Sequence, residues 1–129
     1  MPAYKSSVSI EATPEQVFEF VRDVRNLPQF TAFSAAEPIG EGNVRLTAEV
    51  DGHAEVSEAW IRRREGRHPR IEWGSEATKS YHGWLEVDRE GEVCSVTVEI
   101  HSDAGREAGV DAALDQTLLA LKAAVEATL

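Results

Sequence analysis

Cysteine is almost missing from this sequence. Cys94 is the only one in 129 residues, so no internal disulfide can form and a reducing cytoplasm is the expected setting. No apolar run approaches the roughly 20 residues that span a bilayer, which argues against stable membrane insertion. The first ten residues, MPAYKSSVSI, lack the apolar core and small-residue cleavage pattern of a secretory signal. Basic residues are scarce beside acidic ones, 13 against 23, for a net charge of -10. That balance argues against nucleic acid, whose binders gain affinity from clustered Lys and Arg. The one basic cluster, Arg62 to Arg64, would be divided between two faces of a strand. The sequence also lacks a Gly-rich phosphate loop and a nucleophile elbow. Its histidines, His53, His68, His82 and His101, have no paired spacing for a metal, so neither metal nor cofactor is expected.

The length suits one domain over residues 1–129, and no repeat or linker-like run divides it. Val8, Ile10 and Ala12 alternate with polar neighbours, as in a strand with one buried face. Thr13-Pro14-Glu15-Gln16 then reads as a helix start, with Thr13 as N-cap, Pro14 at the first helical position and Gln16 closing a capping box. Val17, Phe20, Val21 and Val24 recur at helical spacing. Asn26 to Phe30 reads as a second short helix, with Asn26 as its cap and Pro28 separating it from the first. From Phe33 to Ile100 the pattern is strand and turn, six strands in an antiparallel meander. Val44, Leu46, Ala48 and Val50 share one face of a strand, and Cys94, Val96, Val98 and Ile100 share one face of the last. Residues 105–129 form a long amphipathic helix with Val110, Leu114, Leu118, Leu121 and Val125 on its apolar stripe and Thr117 beside it. Such a helix must lie across the sheet.

This order, β-α-α-β6-α, resembles the helix-grip fold of the SRPBCC or START-like superfamily, an α+β class in which a curved antiparallel sheet wraps a long C-terminal helix. The resemblance rests on Ala12 to Phe18, on Asp23, on Asn26-Leu27-Pro28 followed by Phe30, and on Tyr81-x-Gly83 opening a late strand. Within the superfamily the chain is most similar to the polyketide cyclase/dehydrase and coenzyme Q-binding group. The resemblance implies a mostly apolar cavity between sheet and helix, with its mouth near the two short helices. It also implies a small hydrophobic or aromatic ligand, such as a lipid, quinone or polyketide. Ser102 to Gly109 joins the last strand to the final helix more directly than in many relatives, which limits what the cavity can enclose.

Polar groups that face this cavity would decide the chemistry, and the strand from Val56 to Arg63 allows two registers. In one, Glu58, Trp60 and Arg62 face inward, placing an acid and a base beside an indole. In the other, Ala59 and Ile61 face inward with Ser57 and Arg63, leaving Glu58 and Arg62 in water. The first register would let Arg62 bind an enolate or carboxylate while Trp60 stacks on its ring. Arg62, Glu58 and Tyr81 are then the candidates for acid-base work of an aromatase/cyclase kind. The expected ligand-binding set is Phe30, Phe33, Trp60, Arg62, Trp73, Tyr81, Leu114, Thr117 and Leu118. Binding without catalysis is the first expectation, in a monomer or weak homodimer. A protein-interaction module is the remaining reading, with outward-facing Trp84 as its cue.

Overall fold

Thr13 ends the first strand and begins the first helix in one step. Its hydroxyl accepts from the Gln16 N–H at 3.1 Å, and the Gln16 side chain accepts from the Thr13 N–H at 2.9 Å. The capping box expected from the sequence is therefore formed, with Pro14 in the first turn. In the computed structural model the described residues are 3–31, 33–40, 42–50, 52–75, 81–102 and 107–128; side chains are described for all of these except 49, 50, 81, 102 and 107–113.

The elements are β1 (Ala3–Ile10), α1 (Pro14–Val21), a 3₁₀ helix (Val24–Gln29), β2 (Phe33–Pro38), β3 (Asn43–Val50), β4 (His53–Arg64), β5 (Arg70–Ser75), β6 (Tyr81–Glu90), β7 (Val93–Ser102) and α2 (Glu107–Glu126). The 3₁₀ helix departs from expectation. Asp23 caps it, accepting from the Arg25 N–H at 3.1 Å. Asn26 instead donates from its side chain to the Phe20 carbonyl at 2.8 Å, satisfying one of the carbonyls that the end of α1 leaves free. Arg25 also bonds both carboxylate oxygens of Asp23, and these bonds hold that carboxyl below the usual carboxylate range.

The seven strands form one antiparallel sheet in the order β1-β7-β6-β5-β4-β3-β2. The meander from β2 to β7 supplies consecutive neighbours, and β1 returns to pair with β7 along its whole length, from Ala3 opposite His101 to Ile10 opposite Cys94. A register shift between Phe33 and Ala35 interrupts the β2–β3 ladder. Bulges of this kind bend the strand that carries them and increase its twist.

Helix α2 lies along β1. Ser6 Oγ donates to Asp115, Lys122 Nζ donates to the Ser9 carbonyl at 3.1 Å, and the Glu11 N–H donates to Glu126 at 2.9 Å. The last two bonds serve backbone groups near the end of β1 and just beyond it. Leu114, Leu118, Leu121 and Val125 of the predicted stripe are 4% exposed or less, and the side chain of its first member, Val110, lies outside the described residues. Among the described residues, no helix is long and apolar enough to cross a membrane.

Candidate functional site

Strand pairing fixes which face each residue of β4 presents. Ala59 is 7% exposed and Ile61 9%, whereas Glu58, Arg62 and Arg63 are exposed. The second of the two registers is therefore the one adopted, and Glu58, Trp60 and Arg62 lie on the outer face of the sheet. The reason is a partner one strand away. Trp60 is paired with Gly74 on β5, and its indole lies so closely over that residue that a Cβ there would fall 2.5 Å from Cε2 and Cζ2. The ring thus finds apolar cover on the outer face, with the Arg62 guanidinium 5.2 Å from its centroid. Neither Trp60 nor Arg62 lines the inner space, and Glu58 and Arg62 are not brought together there as an acid-base pair. Arg63, on the inward-facing set, sits at the end of its strand and donates from Nε to the Arg22 carbonyl at 2.9 Å, closing the C-terminus of α1.

Trp73 repeats the same device on the inner face. It is paired with Gly83 on β6, where a Cβ would meet Trp73 Cζ2 at 2.8 Å and the Glu99 carbonyl oxygen at 2.9 Å. The indole therefore lies across the neighbouring strand on the inner face. Glycine is required at position 83 because a second backbone and a ring both occupy the volume of a side chain.

Burial along the inner face is graded. At the end of the sheet next to α1, Ile10, Val17, Val87, Cys94, Val96 and Val125 are fully buried. Toward the opposite end, where β3, β5 and β7 finish and α2 begins, Phe33, Ala36, Leu46, Trp73 and Ile100 are only half-buried although they point inward. The half-buried inward residues of β2, β3, β5 and β7 thus gather toward the end away from α1, although Tyr4 at that end is buried and Val8 nearer α1 is half-buried. The 3₁₀ helix packs against β2, which carries the half-buried Phe33 and Ala36, and the apolar residues of α1 fill the other end. A cleft of about 380 Å³ does lie beside them, but it is lined by Glu19, Arg22, Asp23, Arg25 and Arg63 among others, and is polar and open. Its charges serve one another, with Arg22 3.0 Å from Glu65 and Arg25 3.0 Å from Asp23.

Of the other predicted ligand residues, Phe30 caps the 3₁₀ helix, is buried, and packs at a tilt against Phe20 with ring centroids 6.1 Å apart. Leu114 and Leu118 belong to the buried stripe of α2, and Thr117 is half-buried beside them. Tyr81 opens β6, and its side chain lies outside the described residues. Tyr4 is not among the residues expected from the sequence. It occupies an inward position of β1, is 5% exposed, and its hydroxyl has no hydrogen-bond partner among the described residues. The alternation of Tyr4, Ser6, Val8 and Ile10 is the signal that points to it.

The outer face carries a separate polar network. The Trp84 indole N–H donates to Glu99 at 3.0 Å, and the His101 Nε2–H donates to the same carboxylate oxygen at 2.8 Å. Because a carboxylate only accepts, the proton belongs on Nε2. His101 stacks on His82 with centroids 4.6 Å apart, while Arg70 and Lys5 approach the Trp84 ring at 4.2 and 5.8 Å. Trp84 is thus half-buried among charged groups rather than a bare apolar patch. No cluster of three or more metal-ligating side chains occurs among the described residues. Cys94 is fully buried, and burial raises its thiol above the ordinary value.

The His101 bond, with a further contribution from Trp84, holds the Glu99 carboxyl below the usual carboxylate range. A depressed value in the folded state adds stability above the unfolded value, near 4.5, and that contribution is lost as pH falls through the folded one. Glu99→Gln is accordingly expected to lower the urea midpoint at neutral pH and to converge with the wild type as the pH falls through the lowered folded-state value. A gap that stayed constant with pH would contradict this assignment.

No curated protein matches the chain in sequence. Solved structures match it closely in shape. A START superfamily protein from Mycobacterium smegmatis superposes with a TM-score of 0.80 at 14% identity, over 98% of this chain and 99% of that one. TTHA0849 from Thermus thermophilus gives 0.78 at 18% identity, over 98% and 99%. The di-domain ARO/CYC protein BexL of the BE-7585A biosynthetic pathway gives 0.76 at 21% identity, with 98% of this chain on 47% of that one. At these identities the likeness establishes the fold alone. The family model for polyketide cyclase/dehydrase and lipid transport matches residues 1–126. With its START-like helix-grip fold, the chain belongs to that family.

Proposed function

We propose that the protein binds a small apolar or aromatic molecule, of lipid, quinone or polyketide type, on the inner face of the sheet beneath the first half of α2. The observation that carries this reading is the graded burial. Residues such as Trp73, Phe33, Leu46 and Ile100 point inward yet remain half-buried, whereas Ile10, Val87, Cys94 and Val96 toward α1 are fully buried. Inward apolar surface left accessible in this way is what an apolar ligand covers. The floor made by Trp73 over Gly83 offers a flat aromatic surface for a ring.

The reading is one of binding rather than turnover. Glu58 and Arg62, which the sequence offered as acid-base groups, lie on the outer face, beyond hydrogen-bond reach of a molecule inside. The protein is proposed to work in the cytoplasm, as a monomer or weak homodimer. Titration with a fatty acid, a benzoquinone and an aryl ketone, followed by NMR or native mass spectrometry, tests the reading. Saturable one-to-one binding of at least one probe is the expected result. Failure of all of them to saturate would overturn it.

A further inference from the structure

Four residues on the inner face stand in one row across four strands. Tyr4 on β1 is paired with Ile100 on β7, Ile100 with Gly83 on β6, and Gly83 with Trp73 on β5. Adjacent strands are about 4.8 Å apart, so the row spans roughly 14 Å along the sheet. The Trp73 indole already extends over Gly83. What remains between that ring and the Tyr4 side chain is the column of Ile100, which is half-buried. An apolar floor thus ends, at its β1 side, on a phenol.

The phenol's surroundings make it unusual. Tyr4 is 5% exposed, and its hydroxyl is buried with no hydrogen-bond partner among the described residues. Leaving such a group unpaired is costly, because a buried O–H has lost its water without replacing it. The next inward residue on β1, Ser6, is served by Asp115 of α2. Strand and helix run in the same direction, Ser6 meeting Asp115 and Glu11 meeting Glu126. At about 3.3 Å per strand residue and 1.5 Å per helix residue, Tyr4 lies level with position 110 or so of α2. It therefore stands toward the end of the inner face away from α1, under the first turns of α2, buried and in the same row as the half-buried Ile100.

We infer that the Tyr4 hydroxyl is the group that selects the ligand's chemistry, by hydrogen bonding to a carbonyl or hydroxyl oxygen at one end of an aromatic or apolar body laid over Ile100 and Trp73. This rests on the binding site proposed above and adds to it a polar end and an orientation. The ligand class is then an oxygenated aromatic, such as an aryl ketone, quinone or phenol. A plain hydrocarbon would occupy the same floor and leave the hydroxyl unpaired.

The test uses two probes of nearly equal shape, 2-acetonaphthone and 2-ethylnaphthalene, with the wild type and Tyr4→Phe. The wild type is expected to bind the ketone roughly fivefold more tightly than the hydrocarbon, the worth of about one hydrogen bond. Tyr4→Phe is expected to abolish that preference, so that it binds the ketone and the hydrocarbon equally. Its urea midpoint should be unchanged or higher, since it removes a buried unpaired group. A measurement needing no variant is the ring ¹³Cζ resonance of Tyr4, which should move with the ketone and stay with the hydrocarbon. Equal affinities for the two probes, or a preference that survives Tyr4→Phe, would overturn the role of Tyr4 and leave the site standing. Absence of saturable binding by either probe would overturn the site itself and this inference with it.

Discussion

Gly83→Ala is expected to cost about 2 to 3 kcal/mol of folding stability, read as a lower urea midpoint with an unchanged slope. The added methyl would sit 2.8 Å from Trp73 Cζ2 and 2.9 Å from the Glu99 carbonyl oxygen. The ring could rise from the sheet, but the oxygen belongs to the backbone of β7, which is held by β1 on one side and β6 on the other. Relief on one side therefore leaves the other clash in place. Gly74→Ala makes the informative comparison, because the atoms crowding it all belong to the Trp60 indole. That ring is half-buried on the outer face and can swing toward solvent. A smaller loss, about 1 kcal/mol, is expected there, and Trp60→Ala in the same chain should remove most of it. Equal losses at the two glycines would contradict the distinction between a backbone obstacle and a movable ring. Lifting Trp73 would also disturb the proposed floor, so Gly83→Ala should weaken ligand binding as well.

Trp73→Leu is expected to weaken binding of an aromatic ligand by roughly tenfold, through loss of apolar contact and of ring-on-ring interaction. Trp60→Leu and Arg62→Ala should each leave the affinity within about twofold, as substitutions outside the contact surface usually do. The contrast follows from pairing alone. Trp60 and Trp73 are both large, both half-buried and both laid over a cross-strand glycine, yet they occupy opposite faces of the sheet. Isothermal titration of the three variants with an aryl ketone decides the matter. A tenfold loss at Trp60 or Arg62 with none at Trp73 would place the ligand on the outer face.

These residues show what a sequence can and cannot carry. The cap at Thr13, the shared face of Val44, Leu46 and Ala48, the buried set of β7 and the stripe of α2 are all readable, because each is dictated by local chemistry or by one dominant period. Strand β4 is different. Ile61 and Trp60 are neighbours and both are large and apolar, so either face could be the buried one on periodicity alone. The choice is made by Gly74, which offers Trp60 a seat on the outer face, and nothing near Trp60 in the sequence reveals it. Asn26 suits a cap by residue type; its side chain serves the end of the preceding helix instead, and Asp23 caps the 3₁₀ helix. Tyr4 is hidden for a related reason. Ser6, Ser7 and Ser9 surround its strand with small polar residues, which blurs the alternation until Val8 and Ile10 restore it.

Protein labelled with ¹⁵N has three indole N–H resonances, from Trp60, Trp73 and Trp84, and they report separately on the two faces of the sheet. Titration with 2-acetonaphthone is expected to shift the Trp73 resonance saturably and to leave those of Trp60 and Trp84 in place. Movement of the Trp60 resonance with Trp73 unmoved would contradict the inner-face site.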